Sequence, residues 1–305
     1  LGEYIVRRSF QSLIALFGLF VVVFCLVRLT GNPADLLLPT GTPAAVREDL
    51  TRRFGFDQPV YVQFVHYVEG LARFDFGTSL RQARPAMDVA LEALPATLKL
   101  AAVSITFAII FAIIAGALAA SRPGSMFDRA VSLLSLAGGS APDFWIAIVG
   151  VLVFSVKLDL LPTSGTGSIL NWIMPAVVLG LRPFGLLLQV VRGTMISVLS
   201  SPYVKTARAK GVREGRVIFV HALRNSMLPV ITVAGDLAAS LLNGAVVVEA
   251  IFGWPGIGKQ MLNAILERDF AVVQATILVT AVVIFILNIA IDVLYALVDP
   301  RIRHR

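Results

Sequence analysis

Residues 98–120 read LKLAAVSITFAIIFAIIAGALAA, an apolar stretch interrupted by a single charge, Lys99. At 1.5 Å per residue a helix of this length covers the ~30 Å hydrocarbon core of a bilayer; a soluble α/β chain would break its apolar residues into strand-length blocks. Five further stretches repeat the pattern, at about 9–29, 131–156, 173–191, 228–251 and 270–297. The third contains Gly138-Gly139 and Pro142-Asp143, breakers that a membrane helix tolerates where neighbours re-satisfy the freed backbone. The first follows Arg7-Arg8, and its length with no clean small-residue cleavage site after it reads as a retained span rather than a cleaved signal.

Composition agrees. Hydrophobic residues make up 57% of the 305 positions and charged residues 15%, with a mean hydropathy of +0.83. Soluble domains carry charge on roughly a quarter of their residues. The expected fold is therefore all-α and polytopic, with six transmembrane helices. It divides into an N-terminal segment and first helix over 1–30, an external loop with short helices over 31–95, and a core of five helices over 96–305.

Charge placement orients the chain. Arg7 and Arg8, Arg122 and Arg129, then Arg192, Lys205, Arg208, Lys210, Arg213, Arg216 and Arg224, and finally Arg301, Arg303 and Arg305 fall on one side of a six-span arrangement. The positive-inside rule makes that side, and both termini, cytoplasmic. The net charge of +7 is then mostly a property of the cytoplasmic surface, and with no soluble domain to display it a nucleic-acid partner is not expected. The external segment holds Phe54, Phe56, Tyr61, Phe64, Tyr67, Phe74 and Phe76 in two short amphipathic stretches, 46–54 and 60–76, suited to a membrane surface or to covering the mouth of a bundle.

The most distinctive soluble stretch is SSPYVKTARAKGVREGRVIFVHALRNSMLP, residues 200–229, within a cytoplasmic loop of 199–229. Ser201-Pro202 opens a short helix over 203–210, since proline in the first turn costs no hydrogen bond, and Gly211 permits a sharp turn after it. A second helix is expected from Glu214 to Asn225, ending near Pro229. The result is a short basic helix presented to the cytosol on a rigid bend.

Chemistry-bearing motifs are sparse. Gly253-Trp254-Pro255-Gly256-Ile257-Gly258-Lys259 has the GxxxxGK spacing of a phosphate-binding loop, but Gln260 stands where that loop needs Ser or Thr for magnesium, and no βα context surrounds it. It reads as a tight external turn that packs Trp254. His66, His221 and His304 are scattered outside the spans, giving neither a nucleophile–base pair nor a metal-ligand spacing, and Cys25 has no disulfide partner. No cofactor and no catalytic residue are expected in this chain.

Polar groups inside spans are costly in lipid and usually face a cavity or a partner. Asp143, Arg182, Gln189, Asp236, Asn243, Glu249, Asn288 and Asp292 meet that description. Asp143, Gln189, Asp236 and Asn243 are the candidates for a polar path, with Asp143 and Asp236 foremost. Each has a plainer reading as helix–helix glue.

Several words along the chain together resemble the inner-membrane permease subunits of binding-protein-dependent ABC importers, in their dipeptide, oligopeptide and nickel branch. They are Gly31-Asn32-Pro33-Ala34, Leu161-Pro162-Thr163-Ser164-Gly165, Tyr203-Val204-Lys205-Thr206-Ala207-Arg208-Ala209-Lys210-Gly211, His221-Ala222-Leu223-Arg224-Asn225 with Leu228-Pro229, Phe252 to Gly258, and Asp269-Phe270 with Val273-Gln274. The resemblance runs nearly end to end.

It implies the type I importer permease fold in the bacterial cytoplasmic membrane. It makes 203–211 the coupling helix that sits in a cleft of an ATPase subunit, with Lys205 at the motif's usual glutamate, Thr206 and Ala207 at its alanines, and Gly211 at its glycine. It further implies a homologous second permease, two ATPase subunits carrying ATP and Mg, an external substrate-binding protein or lipoprotein, and surrounding lipid. Dipeptides or short oligopeptides are the implied cargo, with nickel, haem or glutathione as alternatives. An ion-coupled secondary carrier is the rival from another class; it would show inverted repeats, and none is evident between the halves.

Overall fold

The computed structural model describes residues 2–29, 57–79 and 81–298, with isolated positions 43, 45, 48, 51 and 52. The Gly31–Ala34 word, nearly all of the expected 46–54 helix and the arginines of the carboxyl tail lie outside these residues. Among these residues the longer helices are, in chain order, α1 (Gly2–Leu29), α2 (Val60–Ala72), α3 (Ala86–Ser121), α4 (Met126–Ser140), α5 (Asp143–Gly150), α6 (Leu170–Leu199), α7 (Pro202–Ala209), α8 (Leu223–Ile251), α9 (Ile257–Leu266) and α10 (Phe270–Val298). A π-helical stretch, Val151–Lys157, continues α5, and a turn at Glu214–Arg216 with a π-helical stretch Val217–Ala222 leads into α8. Among the described residues the only extended pairing is an isolated bridge between Thr78 and Pro85.

Among the described residues, four helical stretches are long and apolar enough to cross a membrane: Ala86–Ser121, Leu170–Leu199, Glu214–Ile251 and Phe270–Ile291. The pair Met126–Ser140 and Asp143–Lys157 makes a fifth if counted as one span, and Phe10–Leu26 of α1 is a shorter apolar helix.

Three features differ from the sequence expectation. The span expected as one helix over 131–156 is broken by 111° at Ala141-Pro142. Proline pushes its predecessor into extended geometry, and Ala141 sits at φ −80°, ψ 139°. Instead of a separate helix ending near Pro229, the chain runs helically from Glu214 to Ile251 with Pro229 inside, its missing donor tolerated in a segment flanked by partners. The second span starts at Ala86, so residues 86–95, placed with the external loop from sequence, are helical and carry Pro95 internally.

The chain folds as two compact units, Leu1–Ala96 with Pro255–Ile289, and Thr97–Trp254 with Ala290–Arg305. In the first, α1 and α2 meet through rings: Phe24 stands 5.2 Å from Phe64 and 5.4 Å from Tyr67, and Phe20 is edge-on to Tyr67 at 6.5 Å. Such pairs add roughly 0.5–1.5 kcal/mol beyond their buried area. The Tyr67 hydroxyl finds no hydrogen-bond partner there, and burial pushes its phenol up to about 12. Ala86, Val89 and Ala90 at the start of α3 share a core with Ile257 and Ala264 of α9 and with Val272, Ala275 and Val279 of α10. The buried Ser79 hydroxyl donates to Asp269 Oδ2 at 2.5 Å, pinning the 77–86 turn to the start of α10.

In the second unit α6 is the central element. Gly185 faces Ser135 of α4 so closely that a Cβ there would lie 2.5 Å from the Ser135 carbonyl oxygen, and one on Gly138 would lie 2.8 Å from Leu181 Cγ. Small residues let membrane helices approach to backbone contact, and here they bring α4 against α6. Asp128, 3% exposed, closes the same crossing near the start of α4: its carboxylate takes two hydrogen bonds from the Arg192 guanidinium, at 2.5 and 2.9 Å, and one from the Gly124 amide at 2.8 Å.

Candidate functional site

The short helix α7 is built by its own ends. Pro202 occupies the first turn of α7. At the other end the Gly211 amide donates to Arg208 O at 2.9 Å and the Val212 amide to Ala207 O at 3.2 Å, with Gly211 at φ +76°. This is the pair of bonds that closes a helix on a left-handed glycine, and a side chain there would strain it. Val204 is fully buried among Val191, Met195 and Leu199 of α6, Val217, Ile218 and Ala222 of the π-helical stretch, and Val230 of α8. Asn225 Nδ2 donates to the Tyr203 hydroxyl at 2.7 Å. α7 is therefore anchored by the buried Val204 to the feet of two spanning helices, with the Asn225–Tyr203 bond as a polar clip.

What α7 offers outward is Tyr203, Lys205, Thr206, Ala209, Lys210 and Gly211, all exposed, while Ala207 is half-buried. Arg208 is turned inward along the surface: its guanidinium donates to both carboxylate oxygens of Glu214, at 3.1 and 2.6 Å, and this pairing raises its pKa further above the ordinary value. The basic face left open is that of Lys205 and Lys210.

The second feature lies in the middle of the spans. A cavity of about 580 Å³ is lined by Asp143 at the start of α5, by Leu179, Arg182, Pro183 and Leu186 of α6, and by Asp236, Leu237, Ser240, Leu241, Asn243 and Gly244 of α8. Its polar residues on α8 fall at i, i+4 and i+7, one helical face. The 141–142 break places Asp143 in the first turn of α5, where a carboxylate suits the helix N-terminus. Gly244 leaves the floor open, a Cβ there standing 3.7 Å from Asp143 Oδ2.

Three of the four sequence candidates, Asp143, Asp236 and Asn243, thus come together. Gln189 does not join them; it lies two turns further along α6, its Nε2 donating to Ser135 Oγ at 3.3 Å. Glu249 is fully buried and accepts a 2.5 Å hydrogen bond from Thr97 Oγ1, while Asn288 borders a separate groove with Ser12 in the other unit. The Asp292 side chain lies outside the described residues. Ser240 was not singled out from sequence; its position four residues after Asp236 was the available signal.

At the 253–258 turn, Gly253 takes φ +64° and Trp254, 2% exposed, stacks edge-on against Trp172 with ring centres 4.5 Å apart. The Phe252 carbonyl accepts from the Gly165 amide at 3.1 Å. Gly256 caps α9, with Pro255 before it and Gly258 buried in its first turn. Among the described residues no group of three or more His, Cys, Asp or Glu is gathered for a metal.

Comparison with known proteins then fixes the lineage. Residues 108–304 match the binding-protein-dependent transport system inner membrane component family, and residues 1–101 match the N-terminal region described for such membrane components. The chain belongs to this permease family. The di/tripeptide transport system permease protein DppB of Pseudomonas aeruginosa is 38% identical, with 99% of both chains covered. The oligopeptide transport system permease protein AppB of Bacillus subtilis is 36% identical over the full length of both, and the glutathione transport system permease protein GsiC of Escherichia coli is 37% identical over 99% of both. A solved amino acid ABC transporter with histidines shares the fold, with a TM-score of 0.51 at 14% identity over 70% of this chain and 94% of that one. This permease is accordingly a multi-pass protein of the bacterial inner membrane, working with other components of an ABC transport system.

Proposed function

We propose that this permease forms half of the translocation path for dipeptides or short oligopeptides in an ATP-driven importer, with six spans and both termini in the cytoplasm. The observation that carries the reading is the mid-span cavity. Arg182 and Asp236 each lie near the middle of a spanning helix, and Asp143 lies at the break of the bent one, yet Arg182 and Asp236 are exposed on the isolated chain. A charge at that depth facing hydrocarbon costs several kcal/mol, so these groups face water, cargo or a second subunit. A path shared with a homologous permease supplies all three.

Two ATPase subunits, holding ATP and Mg, would dock on α7 and on its counterpart in the second permease, meeting Tyr203, Lys205, Thr206 and Lys210. An external binding protein would deliver cargo near the turn at Gly253, Trp254, Pro255, Gly256 and Gly258. ATP binding draws the ATPases together, and Val204 transmits the movement of α7 into the feet of α6 and α8. Nucleotide can drive the change only by binding the two conformations unequally. The chain supplies conduit and transmission, and hydrolysis belongs to its partners. Glutathione, itself a tripeptide-like acid, is the second reading, favoured by the full-length likeness to a glutathione permease.

ATPase activity of the affinity-purified complex in nanodiscs tests this. Stimulation that needs both the binding protein and a peptide from a defined panel supports the reading; absence of any copurifying ATPase overturns it.

A further inference from the structure

The mid-span cavity holds an unusual combination. Among the described residues the Asp143 side chain makes no direct hydrogen bond or close ion pair, and the Arg182 side chain, on the same cavity wall, makes none either, although the guanidinium is near enough to act on the carboxylate through its charge. Elsewhere the chain pairs such groups closely, Arg192 with Asp128 and Arg208 with Glu214. An acid and a guanidinium that share a cavity at membrane depth without a direct contact leave hydrogen-bonding capacity on both to be satisfied from outside the chain. Asp236, Ser240 and Asn243 add a second carboxylate and two neutral hydrogen-bonding groups, and Leu179, Pro183, Leu186, Leu237 and Leu241 make the rest of the wall apolar.

The balance is two acids to one base, so the cavity attracts cations more than anions while keeping one fixed cationic anchor. Its volume of about 580 Å³ falls inside the ~300–1,000 Å³ range of cavities that hold small solutes. We propose that this cavity is a cargo subsite in the path, matched to a zwitterion. Asp143 takes a free ammonium group, with the negative charge of Asp236 on the same lining adding to the field, Arg182 takes a carboxylate, and the apolar wall takes small side chains. This inference rests on the path reading above and deepens it. The permease itself screens for free peptide ends, in addition to whatever the binding protein selects.

The subsite can be read without transport. In the assembled complex, with Cys25→Ser and Ser240→Cys, the cavity thiol is reacted with a cationic and with an anionic methanethiosulfonate. The cationic reagent should react about tenfold faster, in the range that one charge-assisted contact commands. Asp143→Asn and Asp236→Asn should each shrink that ratio, and Arg182→Gln should widen it. Dialanine should slow labelling, and N-acetyl-dialanine should not. Equal rates for the two reagents, protection indifferent to acetylation, or a thiol that neither reagent reaches because the second permease covers it would each overturn the subsite. If one acid variant does not assemble, the other and Arg182→Gln carry the test. Failure of the importer reading shows separately, as absence of ATP-dependent uptake by the parent complex whatever the labelling.

Discussion

Gly185→Ala should weaken the packing of the α4–α6 crossing more than its size suggests. The added Cβ would stand 2.5 Å from the Ser135 carbonyl oxygen and 3.3 Å from that residue's Cα and carbonyl carbon. A carbon–oxygen contact relaxes at roughly 3.3 Å or more, so the two backbones must part locally by about 0.8 Å. The obstacle is main chain inside α4, which cannot rotate away as a side chain would. Overpacking of this kind costs about 1–3 kcal/mol, or about fivefold to 150-fold in the folded-to-unfolded ratio. The separation also strains the Gln189–Ser135 hydrogen bond across the same crossing.

Gly193→Ala, on the same helix, is the control. It meets nothing within 4 Å and should be neutral or gain up to about 1 kcal/mol from helix propensity. Unfolding titrations of the purified protein in mixed micelles compare the two. A Gly185→Ala protein as stable as the parent would refute the close approach of α4 and α6.

Asp128→Ala strands Arg192, whose side chain is 32% exposed, and should cost about 2–3 kcal/mol, less than a fully buried pair; Asp128→Ala with Arg192→Leu should recover part of it, as a double-mutant cycle would record. Trp254→Ala removes a fully packed ring from Trp172 and should cost about 3–5 kcal/mol, read as a lowered thermal midpoint of the complex. Tyr67→Phe deletes a buried hydroxyl with no partner and should leave stability unchanged or raise it by up to about 1 kcal/mol; a loss would reveal a hydrogen bond at that oxygen.

Much of the architecture could be read from the sequence because a bilayer leaves few options for an apolar run of twenty residues. The α7 start at Pro202 and its stop at Gly211 were legible for local reasons, a first-turn proline and a left-handed glycine. The 111° break was half legible: Pro142 announced a disturbance, but its size depends on Gly138 and Gly185 drawing α4 onto α6, which is tertiary. Continuity through Pro229 was hidden, since local preference favours a stop there and only packing overrides it. At the site, depth in the spans singled out Asp143, Asp236 and Asn243 as candidates for a polar path, and the structure places all three on one cavity. Depth could not separate them from Gln189, whose partner Ser135 lies 54 residues away. The inward turn of Arg208 toward Glu214 was likewise invisible among so many basic residues.

The most direct test of the account is uptake of radiolabelled dialanine into proteoliposomes holding the complete complex, with the binding protein outside and ATP enclosed. Accumulation should require both ATP and the binding protein and should fall when Val204, the buried link between α7 and the spans, is replaced by Asp. Uptake that proceeds without ATP, driven instead by an imposed ion gradient, would contradict it.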